Sequence, residues 1–202
     1  MDITPTHWLV DAKKIQLPAT ALMPTRRALV IHFTGGASAR SSIDAMRQRG
    51  VSAHLTIDRD GTIYQSVPFD KKAAHAGISR WADPTTGITY VGLNSCSIGI
   101  ELANAGNDPG AFSWAERLPG FTSITARHRN GGPLTEWENF PPAQMTALFH
   151  VAQLLVDHYH LDDITGHDCI APKRKNDPGP AFPMKALRDV CGFSDLPQVF
   201  TQ

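Results

Sequence analysis

The chain has 202 residues, and its 19 lysine and arginine residues are balanced by 19 aspartate and glutamate residues. The formal net charge of zero argues against a general nucleic-acid binder, which usually carries a basic excess. Because 42% of the residues are hydrophobic and 19% are charged, the chain can fill a core, and disorder is disfavoured. This length predicts a single domain over residues 1–202.

Neither a membrane span nor a cysteine-based scaffold is indicated. No apolar run approaches the roughly 18 residues that a membrane span requires. Residues 1–20 lack the uninterrupted apolar segment of a secretory signal, which predicts a cytoplasmic location. Cys96, Cys169 and Cys191 are far apart and form no CxxC motif, so a disulfide framework and a cysteine-rich zinc finger are both disfavoured.

The first half of the chain combines strand and helix patterns. Residues 28–33 form a short apolar run, which predicts a buried strand. A helix is predicted to begin with a capping box at Ser41–Asp44 and to end at Gly50. Residues 53–57 and 62–65 flank an Asp-Gly turn, which is the pattern of an antiparallel hairpin.

The second half adds two strands and a long helix. Residues 97–102 and 164–167 predict strands. Between them, apolar residues recur at spacings of three and four from Met145 to Tyr159, as in an amphipathic helix. Because strands and helices are interleaved and one hairpin is antiparallel, we expect an α/β domain with a mixed sheet flanked by helices.

Residues 105–139 are predicted to form a long insertion loop, and a loop of this length in a compact domain is usually functional. Its aromatic side chains can stack on flat ligand faces, and its arginines can pair with carboxylates. The alternative is that the aromatics pack a satellite core. It holds no candidate metal ligand, so replacement of residues 106–132 by a short Gly-Ser linker is expected to leave metal binding intact. The aromatic residues and arginines of the insertion are Phe112, Trp114, Phe121, Trp137, Arg127 and Arg129.

The stretch from residue 166 to residue 180 contains a histidine and two aspartates among prolines and glycines that fix the path of the chain. Such a rigid loop suits a metal or catalytic site, but an ordinary proline-rich surface turn has the same composition. A catalytic zinc takes about three protein ligands and leaves one position open. His32, His167 and Asp177 supply two imidazoles and a carboxylate, although nine histidines allow many other triplets.

With these motifs the chain resembles the zinc-dependent N-acetylmuramoyl-L-alanine amidases, the group that includes phage lysozyme-type amidases and peptidoglycan recognition proteins. The last matching segment, with Lys-Asn-Asp-Pro-Gly-Pro at residues 175–180, is the most specific. It is especially similar to the cytosolic branch that recycles cell-wall fragments. The matching segments cover most of the chain in the same order: residues 29–32, 51–54, 58–65, 73–77, 94, 97–102 and 166–182.

The resemblance implies a catalytic centre with one zinc ion per chain. His32, His167 and Asp177 match the ligands, and Glu101 matches the acidic residue that accepts the proton of a zinc-activated water. Lys175 matches the lysine that assists the transition state. On their residue types alone, Glu101 would be interpreted as an outward-facing strand carboxylate and Lys175 as a solvated charge.

The resemblance also implies that His75 and Asn94 contact the substrate. This chain departs from the family pattern at Ala74, where many members have tryptophan, so one wall of the cleft is expected to differ. Its insertion at residues 105–139 is longer than in the recycling enzymes, which leaves the breadth of substrate specificity open. Because the insertion follows the strand that carries Glu101, we expect it to border the substrate cleft, with its aromatics stacked on sugars and its arginines paired with stem-peptide carboxylates.

The implied protein is a monomer with the fold of the peptidoglycan recognition proteins and phage-type amidases. It hydrolyses the amide bond between N-acetylmuramic acid, or its 1,6-anhydro form, and L-alanine of the peptidoglycan stem peptide. Its partner is peptidoglycan or a soluble muropeptide. Three alternatives stay open: a non-catalytic peptidoglycan-binding module, a metallopeptidase of the stem peptide, and a phage endolysin that acts on the intact wall.

Overall fold

Ten strands and five helices follow one another along residues 1–200, the part of the chain that the computed structural model describes. The strands are β1 (Lys13–Lys14), β2 (Ala28–Phe33), β3 (Leu55–Ile57), β4 (Ile63–Gln65), β5 (Arg80–Ala82), β6 (Thr89–Val91), β7 (Ser97–Leu102), β8 (Ser123–Arg127), β9 (Leu134–Glu138) and β10 (Asp163–Gly166). The helices are α1 (Ala39–Arg49), α2 (Pro109–Ala115), α3 (Pro142–Tyr159), α4 (His167–Ile170) and α5 (Met184–Val190), with a 3-10 turn at Leu93–Ser95.

Six strands form the central mixed sheet in the order β1-β4-β3-β7-β2-β10. β3 and β4 pair antiparallel, whereas the other neighbours in this sheet are parallel. β2 and β7 lie side by side at the centre and pair along their full length, from Ala28 opposite Ser97 to Phe33 opposite Leu102. The expected mixed α/β architecture is therefore confirmed.

Strand β2 is buried on both faces, and this positions its polar residue. Leu29 and Ile31 join the main core with helix α3, while Ala28 and Val30 join a second core on the opposite face. Because successive side chains of a strand point to opposite faces, His32 lies on the face of Ala28 and Val30. His32 therefore projects from the face of the sheet that is opposite the main core.

The local patterns predicted most elements. The strand at residues 28–33, the hairpin of β3 and β4, and helix α3 are confirmed. Helix α1 ends at Gly50 as expected, but Ser38 caps its start, because the Ser38 hydroxyl accepts a hydrogen bond from the Ser41 amide at 3.2 Å. The predicted Ser41–Asp44 capping box is therefore wrong. Within residues 1–200, no helix is both long and apolar enough to cross a membrane.

The insertion at residues 105–139 is not the irregular loop that its composition predicted. Asp108 caps helix α2 by accepting a hydrogen bond from the Ala111 amide at 2.8 Å. Strands β8 and β9 then form an antiparallel hairpin, whose turn includes Gly131 and Gly132 with positive φ angles of 95° and 100°. Polar residues on these strands had obscured the β pattern.

The aromatics of the insertion pack mostly within it, as the satellite-core alternative proposed. Phe112 lies with three alanines in a small separate cluster and meets the ring of Phe121 edge to face at 5.6 Å. Trp137 is buried, and Trp114 lies beside the Arg59 guanidinium, 5.5 Å from the ring centroid. These rings are engaged with protein, so the expected stacking on sugars has no support from their positions.

Candidate active site

Three adjacent parallel strands deliver polar residues to one edge of the sheet. His32 and Glu101 are the next-to-last residues of β2 and β7, and they are direct partners across the two strands. His167 follows the end of β10, whose Gly166 pairs with Ile31. Because in-register neighbours on adjacent strands share a face, His32 and Glu101 project to the same side.

The three predicted ligands lie together at this edge. Nδ1 of His32 lies 2.8 Å from Oδ2 of Asp177, and Nδ1 of His167 lies 3.1 Å from the same oxygen. One ligand atom from each residue falls within 4.8 Å of the others, and all three side chains are buried. The geometry therefore allows one metal ion to be held by these residues.

The outer nitrogens of the two histidines have partners of their own. Nε2 of His167 lies 3.1 Å from the carbonyl oxygen of Ala76, which can only accept a hydrogen bond. Nε2 of His32 lies 3.0 Å from Nδ1 of His75, whose Nε2 lies 3.3 Å from the carbonyl of Ser97. The Ala76 and Ser97 carbonyls favour protons on Nε2 of both ligand histidines, whereas Nη2 of Arg174, which can only donate, lies 3.3 Å from Nε2 of His167.

A proton on Nε2 of each ligand histidine would leave both Nδ1 atoms able to bind a cation. With protons on Nε2, the Nδ1 lone pairs of His32 and His167 face the carboxylate oxygen of Asp177. Such electron-rich atoms repel one another unless a cation lies between them. Two neutral imidazoles and a carboxylate are a donor set that catalytic zinc takes, with a further position left for water. The residues present therefore fit the metal that the sequence implies.

Burial controls the charges of the candidate ligands. Burial and the neighbouring His167 lower the pKa of His32 to about 4, so this imidazole is neutral at pH 7. Burial opposes charge on Asp177, but when the imidazoles of His167 and His32 donate to the carboxylate, these hydrogen bonds hold the pKa of the carboxyl well below its usual range. The carboxylate is ionised and the imidazole is uncharged, as metal ligation requires.

His75 and Asn94 form the support behind the ligands. His75 lies on the cavity wall against Gly99 of β7, where a Cβ would come within 2.4 Å of the imidazole. Oδ1 of Asn94 accepts hydrogen bonds from the amides of His75 at 3.1 Å and Ala76 at 2.7 Å. The positions of these side chains favour a role in holding the ligand histidines. A direct substrate contact for either residue stays a prediction.

A cavity of about 910 Å³ opens over the ligands. Glu101 and Lys175 line it together with Ala74, and one wall is formed by helix α1 with Ser41, Ala45 and Arg49. The first residues of the insertion, Ala105 and Asn107 to Pro109, also line it. The predicted position of the insertion beside the cleft therefore agrees with the structure.

Glu101 has the environment of a proton-transfer group. Its Oε2 is buried and has no hydrogen-bond partner among residues 1–200. Burial and the negative charge of Asp177 raise the pKa of Glu101 well above its usual range, and the positive charge of Lys175 counteracts them. An unpartnered carboxyl with a raised pKa on a cavity wall is typical of a general base or acid.

Two histidines outside the ligand set also have polar partners. His54 is buried and bonded on both sides, to the Lys71 carbonyl at 2.9 Å and the Gly99 amide at 3.0 Å, as expected for a core histidine. His128, for which the sequence offered no partner, lies 3.1 Å from the carboxylate of Asp168. The two residues are 40 positions apart, and no periodicity or motif connects them.

Comparison with known proteins identifies the family that this chain resembles. A family model described as N-acetylmuramoyl-L-alanine amidase matches residues 23–180. The chain is 33% identical over 178 residues to N-acetylmuramoyl-L-alanine amidase AmiD of Escherichia coli (strain K12), covering 84% of this chain and 54% of AmiD, so it spans about half of that relative. It is 32% identical over 202 residues to 1,6-anhydro-N-acetylmuramyl-L-alanine amidase AmpD of Enterobacter cloacae, covering 87% of each chain.

A solved structure is similar in fold as well. It is the complex of AmiD from E. coli with the substrate anhydro-N-acetylmuramic acid-L-Ala-D-gamma-Glu-L-Lys. Its TM-score is 0.65 at 31% identity, over 89% of this chain and 62% of that one. Sequence and fold comparisons therefore lead to the same group of amidases.

Removal of a single ligand should deplete the metal. We expect His32→Ala, His167→Ala and Asp177→Ala each to lower the metal content per chain after dialysis against a weak chelator, because two ligands bind a divalent ion much less tightly than three. The matched control is His150→Ala at an exposed histidine of α3. Elemental analysis checks the outcome, and an undiminished metal content in His32→Ala would contradict the assignment.

Proposed function

This chain belongs to the N-acetylmuramoyl-L-alanine amidase family, and we propose how its site carries out the amide hydrolysis of that family. The bond cleaved joins the lactyl group of N-acetylmuramic acid, or of its 1,6-anhydro form, to L-alanine of the stem peptide. The observation that carries the proposal is the convergence of His32, His167 and Asp177 beside the unpartnered carboxyl of Glu101.

We assign the metal as one zinc ion per chain, held by Nδ1 of His32, Nδ1 of His167 and the carboxylate of Asp177. When bound, zinc supplies a Lewis acid that polarises a carbonyl and lowers the pKa of a coordinated water toward about 7. The outer contacts to His75 and the Ala76 carbonyl keep both imidazoles oriented with Nδ1 toward the carboxylate of Asp177. The support for zinc is the donor set and the family.

Glu101 is the proposed proton carrier. Glu101 lines the cavity, and its buried Oε2 has no partner in the described chain, so the carboxylate is free to accept the proton of the attacking water. Its raised pKa makes it a stronger base when ionised and lets it keep the proton until the leaving amine nitrogen accepts it. Protonation of that nitrogen is necessary because an amide anion is a poor leaving group.

Lys175 is the proposed electrostatic partner of the transition state. Its side chain lines the same cavity as Glu101, and its ammonium charge already lowers the pKa of that carboxyl. A fixed positive charge beside the ligands stabilises the oxyanion that forms when the carbonyl is attacked. It lies two residues before Asp177, so the same loop supplies a ligand and this charge.

A soluble anhydro-muropeptide is the proposed substrate. The support comes from the relatives, one named as an amidase of the 1,6-anhydro form and one described in complex with an anhydro-muramyl peptide. We further propose that residues 105–109, at the start of the insertion, shape one end of the cleft and so affect which substrates enter. The monomeric state and the cytoplasmic location stay predictions that accompany this choice.

Product analysis tests the function and its rivals together. Incubation with anhydro-N-acetylmuramyl tripeptide should release the anhydro sugar and the intact peptide, as measured by mass spectrometry, and the rate on intact sacculi should be lower. A shortened peptide would indicate a stem-peptide metallopeptidase. Binding without any product would indicate a recognition module, and preferential cleavage of sacculi would indicate an endolysin.

Substitution at the two proposed catalytic residues should separate chemistry from metal binding. We expect Glu101→Gln and Lys175→Met each to lower kcat by about 10²-fold or more, because one removes the proton acceptor and the other the positive charge. Metal content should stay at the wild-type level. Matched controls are Glu136→Gln and Lys173→Met at exposed positions. Near-full activity of Glu101→Gln would require another base.

A further inference from the structure

We propose that the insertion hairpin, residues 123–138, is a positioning element for the metal centre. It contacts the ligand loop, residues 167–180, which carries both His167 and Asp177. The hairpin holds Asp168 through hydrogen bonds and packs against Gly179, and these residues follow the two ligands closely in sequence. The inference rests on the metal site of the proposed function, but it assigns a role to residues outside the reaction itself.

The turn of the hairpin binds the carboxylate next to a ligand. Nε2 of His128 lies 3.1 Å from Oδ2 of Asp168, and the two side chains are 9% and 4% exposed. The amide of Asn130 donates to Nδ1 of His128 at 3.1 Å. Because Nδ1 accepts that bond, the proton of a neutral His128 lies on Nε2 and is donated to Asp168. The tautomer is therefore fixed by the hairpin itself.

Two further side chains of the turn add to this contact. Nε of Arg129 lies 3.6 Å from Oδ2 of Asp168. Nδ2 of Asn130 donates to the carbonyl of Asp168 at 2.8 Å and to the carbonyl of Pro172 at 3.3 Å. A buried carboxylate is costly without such partners. The hairpin thus supplies the groups that allow Asp168 to stay buried beside the metal centre.

The other strand of the hairpin contacts the far end of the ligand loop. Trp137 is 2% exposed and stacks on the ring of His128 with a centroid distance of 5.7 Å. Its indole packs so closely on Gly179 that a Cβ there would lie 2.5 Å from Cζ3. One stacked pair of rings therefore connects the Asp168 contact with the Gly179 contact.

Both residues that the hairpin contacts, Asp168 and Gly179, lie within two residues of a metal ligand in the chain. Asp168 follows His167 in the chain, and its amide donates to the carbonyl of Asp177 at 2.8 Å. Gly179 lies two residues after Asp177. Movement of either contact would shift a ligand atom, and loss of outer-shell hydrogen bonds typically weakens metal affinity by about 10- to 100-fold. The proposal therefore departs from the sequence-based expectation that replacement of residues 106–132 leaves metal binding intact.

The experiment removes the hairpin contact without touching a ligand. His128→Leu removes the donor to Asp168, whereas His128→Gln retains an N–H near the position of Nε2. Asn130→Ala, at an exposed residue, removes the bonds to the two loop carbonyls and has Asn139→Ala as its matched control. The zinc Kd is measured by competition with a chromophoric chelator, the coordination geometry by visible absorption of the cobalt-substituted protein, and the stability of the metal-free protein by urea unfolding.

We expect His128→Leu to raise the zinc Kd by about 10-fold or more and to change the cobalt spectrum. His128→Gln should restore both toward the wild type, and Asn130→Ala should raise the Kd where Asn139→Ala does not. A purely structural role would lower only the stability of the metal-free protein. If His128→Leu does not fold, Asn130→Ala decides.

Wild-type Kd values and spectra in the folded variants would overturn the inference. That result is distinct from failure of the proposed function. If the ligand variant His32→Ala kept its zinc, the assignment of the metal site would be wrong, and so would the positioning role inferred from it. If His32→Ala lost zinc while the hairpin variants bound it normally, only the positioning role would be wrong.

Discussion

The in-register pairing of β2 with β7 is the constraint on which the rest of the site depends. It places His32 directly opposite Glu101 and directs both side chains to the same face of the sheet. Parallel pairing of β10 with β2 then brings His167 to the same edge. A slip of one residue in either strand would turn its polar side chain to the opposite face, into the main core. The long apolar pairing of the central strands is thus what makes a buried polar centre possible.

The groups around the ligands matter as much as the ligands. The Ala76 carbonyl and the His75 imidazole hold the outer nitrogens of His167 and His32, and so direct the lone pairs of the inner nitrogens toward Asp177. Gly99 leaves the space that His75 occupies. The insertion hairpin, residues 123–138, contacts the ligand loop, residues 167–180, which carries His167, Lys175 and Asp177. A rigid frame of this kind holds two imidazoles and one carboxylate close together in a fixed orientation.

Local features of the fold were predictable from the sequence, whereas long-range contacts were not. Apolar periodicity gave β2 and α3, and the Asp-Gly turn gave the β3–β4 hairpin, because each signal lies within a few residues. The ligands could be assigned only through the resemblance, since spacing alone does not show that His32 and His167 meet. The β8–β9 hairpin was missed because its exposed strands are polar. The pairing of His128 with Asp168 joins residues 40 positions apart, so no local pattern predicts it.

The central claim is that one metal ion is held by inner nitrogens that the outer partners leave free. The most direct measurement is anomalous scattering at the zinc edge from crystals of the zinc-loaded protein. The account predicts one strong peak per chain, bonded to Nδ1 of His32, Nδ1 of His167 and a carboxylate oxygen of Asp177, beside Glu101 and Lys175. A peak bonded to Nε2 of either histidine, or a peak only at other residues, would contradict it.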